Sequence, residues 1–116
     1  MQDFEILFFQ KDDGSEPAKE FLLSLDLKMR AKLMMILELL SKNGTDLRMP
    51  YSEHLGDGIF ELRAKVSSNI SRVLYFFVVG KKVILTNGFI KKTQKTPKNE
   101  IDLAKKYRQQ YLTRKE

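Results

Sequence analysis

A chain of 116 residues is long enough to bury one hydrophobic core and too short for two, so a single domain spanning 1–116 is expected. It contains no cysteine and one histidine, His54, which excludes a disulfide framework and a thiolate metal site and leaves a histidine metal centre or a Ser-His-Asp triad without its usual parts. The formal net charge of +6 is unevenly spread: residues 1–80 hold 10 Lys/Arg against 12 Asp/Glu, whereas 81–116 hold 11 against 3. Such a basic tract suits a polyanionic partner, nucleic acid first, or a solubilising surface. Asp3 and Glu5 interrupt the first apolar segment, and no uncharged run approaches the roughly 18 residues that cross a bilayer. A soluble, cytoplasmic protein with no membrane partner is expected.

Phe4 to Phe9 is a short aromatic and β-branched run closed by polar residues up to Gly14, which reads as a first strand. Ser15 is a candidate N-cap with Pro17 in the first turn, and Ala18, Phe21, Leu22 and Leu25 form one apolar helical stripe. Asp26 can cap a second helix to about Asn43, burying Leu33, Ile36, Leu37 and Leu40 and stopping at Gly44. Lys28, Arg30 and Lys32 begin its wet side. Met29, Met34 and Met35 are either gap-filling core residues or an adaptable binding surface. Thr45 to Gly58 shows no clear period and contains Pro50, Gly56 and Gly58, so it reads as a connecting loop. His54 falls in this loop, either as an ordinary surface residue or as a general acid.

Ile59 to Val79 carries the strongest pattern, two apolar runs divided by Ser67-Ser68-Asn69, which predicts a hairpin. In the first arm Phe60, Leu62, Ala64 and Val66 share one face, and Glu61, Arg63 and Lys65 share the other. The second arm is apolar except for Ser71 and Arg72, as expected of an inner strand. Arg72 therefore needs either an anion or a structural carboxylate such as Glu61. After a turn at Gly80-Lys81-Lys82, Val83 to Ile90 reads as another strand, with a possible bulge at Gly88. A final helix is predicted with Thr96 as N-cap and Pro97 at its first position, presenting Ile101, Ala104, Tyr107, Arg108 and Tyr111 on one face. The sum is an α/β (α+β) fold: two N-terminal helices on a twisted, mainly antiparallel four-stranded sheet, with a C-terminal helix.

The cations Arg63, Lys65 and Arg72 can converge with the Lys91–Lys95 segment if the strands pair as neighbours. Lys91, Lys92 and Lys95, with the hydroxyls of Thr93 and Thr96, lie beside a helix N-terminus, which itself favours anions. Arginines and lysines without histidine or metal suit a phosphodiester, because a bidentate guanidinium stabilises the charged in-line transition state. A metal-free ribonuclease, using the ribose 2′-hydroxyl as nucleophile and no cofactor, fits that set.

Gly58-Ile-Phe-Glu-Leu-Arg63, Ser71-Arg-Val-Leu-Tyr-Phe-Phe77, Gly80, and Phe89-Ile-Lys-Lys-Thr-Gln-Lys-Thr-Pro97 with Glu100, Ile101 and Ala104 resemble the RelE/HigB-type toxins of type II toxin-antitoxin modules, in the phage-derived HigB-like branch of the RelE/ParE superfamily. The resemblance implies a ribosome-dependent mRNA endonuclease acting on mRNA without metal. It also implies a cognate antitoxin, often a helix-turn-helix protein. By the same resemblance Arg63, Arg72 and Lys91 or Lys92 carry the site. The sequence departs from that pattern in lacking site histidines and in having Glu61 where a lysine is expected, so the general base stays open among Lys65, Lys92 and Glu61. Tyr75, Tyr107 and Tyr111 either stack on RNA bases or pack, and Arg108 joins the RNA-binding candidates. Two other classes compete: a non-catalytic, ParE-like gyrase inhibitor and a plain basic nucleic-acid-binding domain.

Overall fold

The computed structural model describes residues 3–91 and 95–114. Its elements are β1 (Glu5–Phe8), α1 (Pro17–Ser24), α2 (Leu27–Asn43), a short 3-10 turn at Gly44–Asp46, β2 (Ser52–Gly56), β3 (Ile59–Val66), β4 (Asn69–Val78), β5 (Lys82–Lys91) and α3 (Lys98–Arg114). The strands form one sheet in the order β1-β5-β4-β3-β2, with β1 parallel to β5 and every other pair antiparallel. The α+β class and the element order agree with the sequence reading, but the sheet has five strands rather than four.

The additional strand is β2, inside the stretch read as a loop. Asp57 and Gly58 turn the chain with φ of 54° and 77°, and Gly56 pairs with Ile59 across them, a two-residue hairpin of the kind Asp-Gly favours. A register shift between His54 and Gly56 breaks the strand's alternation, which is why no period of two is visible there. Ser52 is buried, while Glu53 and His54 are exposed.

The helices form where local chemistry places them. Asp26 accepts the Met29 amide at 2.8 Å to cap α2, and the Gly44 amide closes its far end on the Leu40 carbonyl. Gly44 has φ of 53°, and a Cβ there would lie 2.1 Å from the Phe4 ring, so both backbone angle and space demand glycine. Ser15 does not cap α1; its amide and hydroxyl go to Asp13 at 2.9 and 2.6 Å, while Glu16 is the N-cap residue and makes no side-chain cap bond. Those two bonds from Ser15 hold the Asp13 carboxyl below its ordinary range.

Two apolar layers cover the sheet. On one face α1 and α2 pack Leu22, Leu33, Ile36 and Leu40 against Leu62, Ala64, Val73 and Tyr75. On the other, Ala104 and Tyr107 of α3 close over Phe9, Ile59, Leu74 and Ile84. Met29 belongs to the first core, whereas Met34 and Met35 remain 51% and 46% exposed. Opposite Leu74 the β4–β5 register shifts, just before Gly88. The Thr86 hydroxyl donates to the Leu74 carbonyl at 3.0 Å, and the Asn87 amide reaches the Glu100 carbonyl and carboxylate at 3.2 and 2.9 Å. This irregularity fixes the first turn of α3 over the sheet. Among the described residues no helix is long and apolar enough to cross a membrane.

Candidate functional site

The pairing of β3 with β4 sets Arg63 directly opposite Arg72. Two like charges in that relation repel, and a buried guanidinium is tolerated only with a partner. Glu61, two residues along β3 on the same face, supplies the carboxylate. Its Oε1 lies 3.1 Å from Arg63 Nε and its Oε2 lies 3.6 Å from Arg72 Nη1. Thr96 bonds to the same Oε2. Glu61 and Arg72 are both 0% exposed. One enclosed carboxylate thus joins two adjacent strands to the segment that enters α3.

This geometry separates the roles open to the two arginines. Arg72 is fully enclosed, so its charge acts on the surroundings through Glu61 and Arg63. Arg63 retains 14% side-chain exposure, and its Nη1 lies 3.8 Å from both Glu53 Oε1 and Met49 Sδ. Its backbone amide donates to the Tyr51 carbonyl at 2.8 Å, which ties the 48–51 segment to β3. Glu61 faces two cations and a hydroxyl inside the protein, which makes it an anchor for Arg63.

Arg63 opens onto a cleft of about 380 Å³ that also contains Lys65, Lys32 of α2, Tyr51, Ile36 and Ile70. Three cations therefore meet apolar walls, and among the described residues no carboxylate lines the cleft. Lys65 is where the alternation of β3 placed it. Lys32 was read only as part of the wet side of α2, where it is partly buried, and Tyr51 carried no reading. The available signal was Lys32's position one helical turn before the buried Ile36, which puts both over the same part of the sheet.

The remaining candidates are dispersed. Tyr75 is a core residue, ringed by Phe60 and Phe77, and its hydroxyl shares a 2.5 Å hydrogen bond with Ser52; burial pushes that hydroxyl up to about 12. A base has no access to its ring. Tyr107 is also buried and stacks on Phe9 with ring centroids 4.7 Å apart, and Tyr111 packs edge-on against Phe76 at 5.8 Å. Arg108 is engaged at the β2–β3 turn, where it donates to the Asp57 carbonyl at 2.5 Å and meets its carboxylate at 3.3 Å, with Lys105 3.5 Å from that carboxylate. Thr96, predicted to cap α3, is buried with its hydroxyl donating to Glu61, and α3 begins at Lys98, with the Glu100 and Ile101 amides on the Pro97 carbonyl.

Lys95 is exposed at the approach to α3. Lys92 and Thr93 lie outside the described residues, as does the side chain of Lys91. His54 stacks on Phe60, and its Nε2 accepts the Gly58 amide at 3.2 Å, so it is occupied with its own hairpin.

No curated protein matches the chain. The family model described as "Phage derived protein Gp49-like (DUF891)" matches residues 20–109, which include Glu61, Arg63, Arg72, Thr96 and every residue named for the cleft. The chain therefore belongs to this phage-derived Gp49-like family, a RelE/ParE-like toxin family, and is the toxin of a toxin-antitoxin pair, which implies an antitoxin as its partner.

Proposed function

We propose that the chain is a ribosome-dependent mRNA endonuclease that works in the cytoplasm and is neutralised by a helix-turn-helix antitoxin. The observation that carries this reading is the meeting of Arg63, Lys65 and Lys32 at one cleft, with Arg63 held from behind by Glu61. A preorganised guanidinium beside a scissile phosphate stabilises the charge that builds on its non-bridging oxygens. In this reading the 2′-oxygen of the preceding ribose loses its proton and attacks phosphorus. The P–O5′ bond breaks, and the departing 5′-oxygen takes up a proton. The products are a 2′,3′-cyclic phosphate and a 5′-hydroxyl, and DNA, lacking the nucleophile, is not cut.

Arg63 contacts the phosphate, and Lys65 or Lys92 transfers the proton. Glu61, Arg72 and Thr96 are positioning residues, because their side chains are enclosed. The test is to map mRNA 5′ ends in cells expressing the chain and in a ribosome-programmed reaction. Arg63→Ala is expected to lower cleavage by about a hundredfold or more while leaving the chain folded. Undiminished cleavage by a folded Arg63→Ala, Lys65→Ala variant would overturn the site. No cleavage by the unaltered chain, together with inhibition of gyrase supercoiling, would overturn the activity.

A further inference from the structure

We infer that the cleft between α2, the 48–51 segment and the outer ends of β3 and β4 is a base-recognition pocket, taking one unstacked nucleotide of single-stranded RNA beside the scissile phosphate. The inference rests on the endonuclease reading for the identity of the polymer, and on its own geometry for the rest. About 380 Å³ lies at the lower end of the range for small-molecule pockets, which suits one nucleoside and is far too small for a duplex. The walls divide by chemistry. Ile70, Met49, Pro50 and Tyr51 are its apolar and aromatic lining, available to a base, and Lys32, Arg63 and Lys65 supply positive charge for the phosphates on either side.

Two further observations point the same way. Lys32 and Lys65 have no ion-pair partner among the described residues, although Lys32 is partly buried. A lysine whose stem is partly covered while its ammonium has no carboxylate nearby leaves that charge available to an anion. The pocket is also rigidly mounted. Lys32 and Ile36 stand on the capped helix α2, and Tyr51 is fixed at both backbone ends, its amide on the Arg48 carbonyl at 3.0 Å and its carbonyl on the Arg63 amide at 2.8 Å. The second bond couples the proposed base platform directly to the proposed phosphate-binding arginine. Proteins that read RNA sequence do so chiefly on splayed single-stranded bases held against aromatic faces. Tyr51 and Lys32 thereby become the residues that set which nucleotide is accepted.

The test uses short 2′-O-methyl RNA, single-stranded and as a duplex, with anisotropy as the readout, because such RNA binds without being cut. Single strands are expected to bind at least tenfold more tightly than the duplex. Tyr51→Ala should weaken them about tenfold, as expected for losing one base–aromatic stack, and Tyr51→Phe should restore binding. Lys32→Ala should lower the slope of log affinity against log salt by about 0.7, one phosphate on a single strand. On programmed ribosomes Tyr51→Ala should change the preferred cut site. Circular dichroism establishes that each variant is folded.

Unchanged affinity and unchanged cut sites in folded Tyr51→Ala, while the parent chain cleaves mRNA, would overturn this pocket and leave the endonuclease reading standing. Tyr51-dependent binding with no cleavage anywhere would do the reverse. Loss of antitoxin binding in the Lys32 and Tyr51 variants with RNA binding intact would assign the cleft to the protein partner and overturn the inference.

Discussion

At Leu62 and Glu61 the two faces of β3 are equally closed to water and are held by opposite means. Leu62, Ala64 and Val73 on one face meet α1 and α2, and their burial is favourable in itself. Glu61 and Arg72, one residue away on the other face, are no more exposed, yet burial of either alone is unfavourable by several kcal/mol. The apolar face tolerates repacking; the charged face tolerates only coordinated change. Burial by itself is therefore no measure of what a residue contributes. In the endonuclease reading the carboxylate and two guanidiniums, where leucines would serve, act by the placement they impose on Arg63 at the mouth of a cleft.

The comparison can be broken most severely at its centre. Glu61→Ala leaves Arg72 enclosed without that carboxylate and is expected to lose about 3–5 kcal/mol in urea unfolding. Leu62→Ala, its neighbour on the apolar face, should lose about 2–5 kcal/mol through cavity formation. The sharper contrast is the paired replacement Glu61→Leu, Arg72→Met. It should recover most of the stability lost in Glu61→Ala, since an apolar pair of similar volume often replaces a buried ion pair at little cost. It should not recover cleavage, because Arg63 would lose its anchor. Recovery of both would show that the carboxylate does no positioning.

A smaller effect is expected at Tyr75, where the apolar core holds one polar bond. Tyr75→Phe strands the Ser52 hydroxyl and should cost about 1–3 kcal/mol. It should also alter the alkaline limb. The folded hydroxyl titrates near 12, above the ordinary value of 10, so its contribution is complete below pH 10 and is lost as pH rises through 12. Unfolding followed between pH 9 and 12 should therefore fall less steeply in Tyr75→Phe. The smallest effect is expected for Arg108→Ala at the exposed Asp57 turn, about 0–1 kcal/mol by thermal or urea unfolding.

How much of this was legible depended on whether the determinant was local. The alternation of β3, the Asp26 cap and the Gly44 stop are written in neighbouring residues, and the structure contains all three. Strand β2 was hidden because its bulge spoils alternation, although Asp57-Gly58 marked the turn that closes it. Thr96 was placed at the start of α3 by a local preference, while its bond to a carboxylate 35 residues away is not written in its neighbours. The choice between an anion and Glu61 as partner for Arg72 stayed open because it turns on register, which sequence does not state. The cleft was not visible because Tyr51 enters it only through the path of a segment with no period.

The parallel seam between β1 and β5 has a consequence in time. The hairpins β2–β3 and β3–β4 join neighbours and can form as soon as they exist, but Glu5 pairs with Lys82 and Phe8 with Leu85. At ~5–20 residues per second, β1 waits roughly 4–15 s of synthesis for its partner strand to be made. Closing so long a loop is among the slower steps in folding a domain of this size. Glu61, Arg63 and Arg72 are thus synthesised before the strand on which β1 pairs.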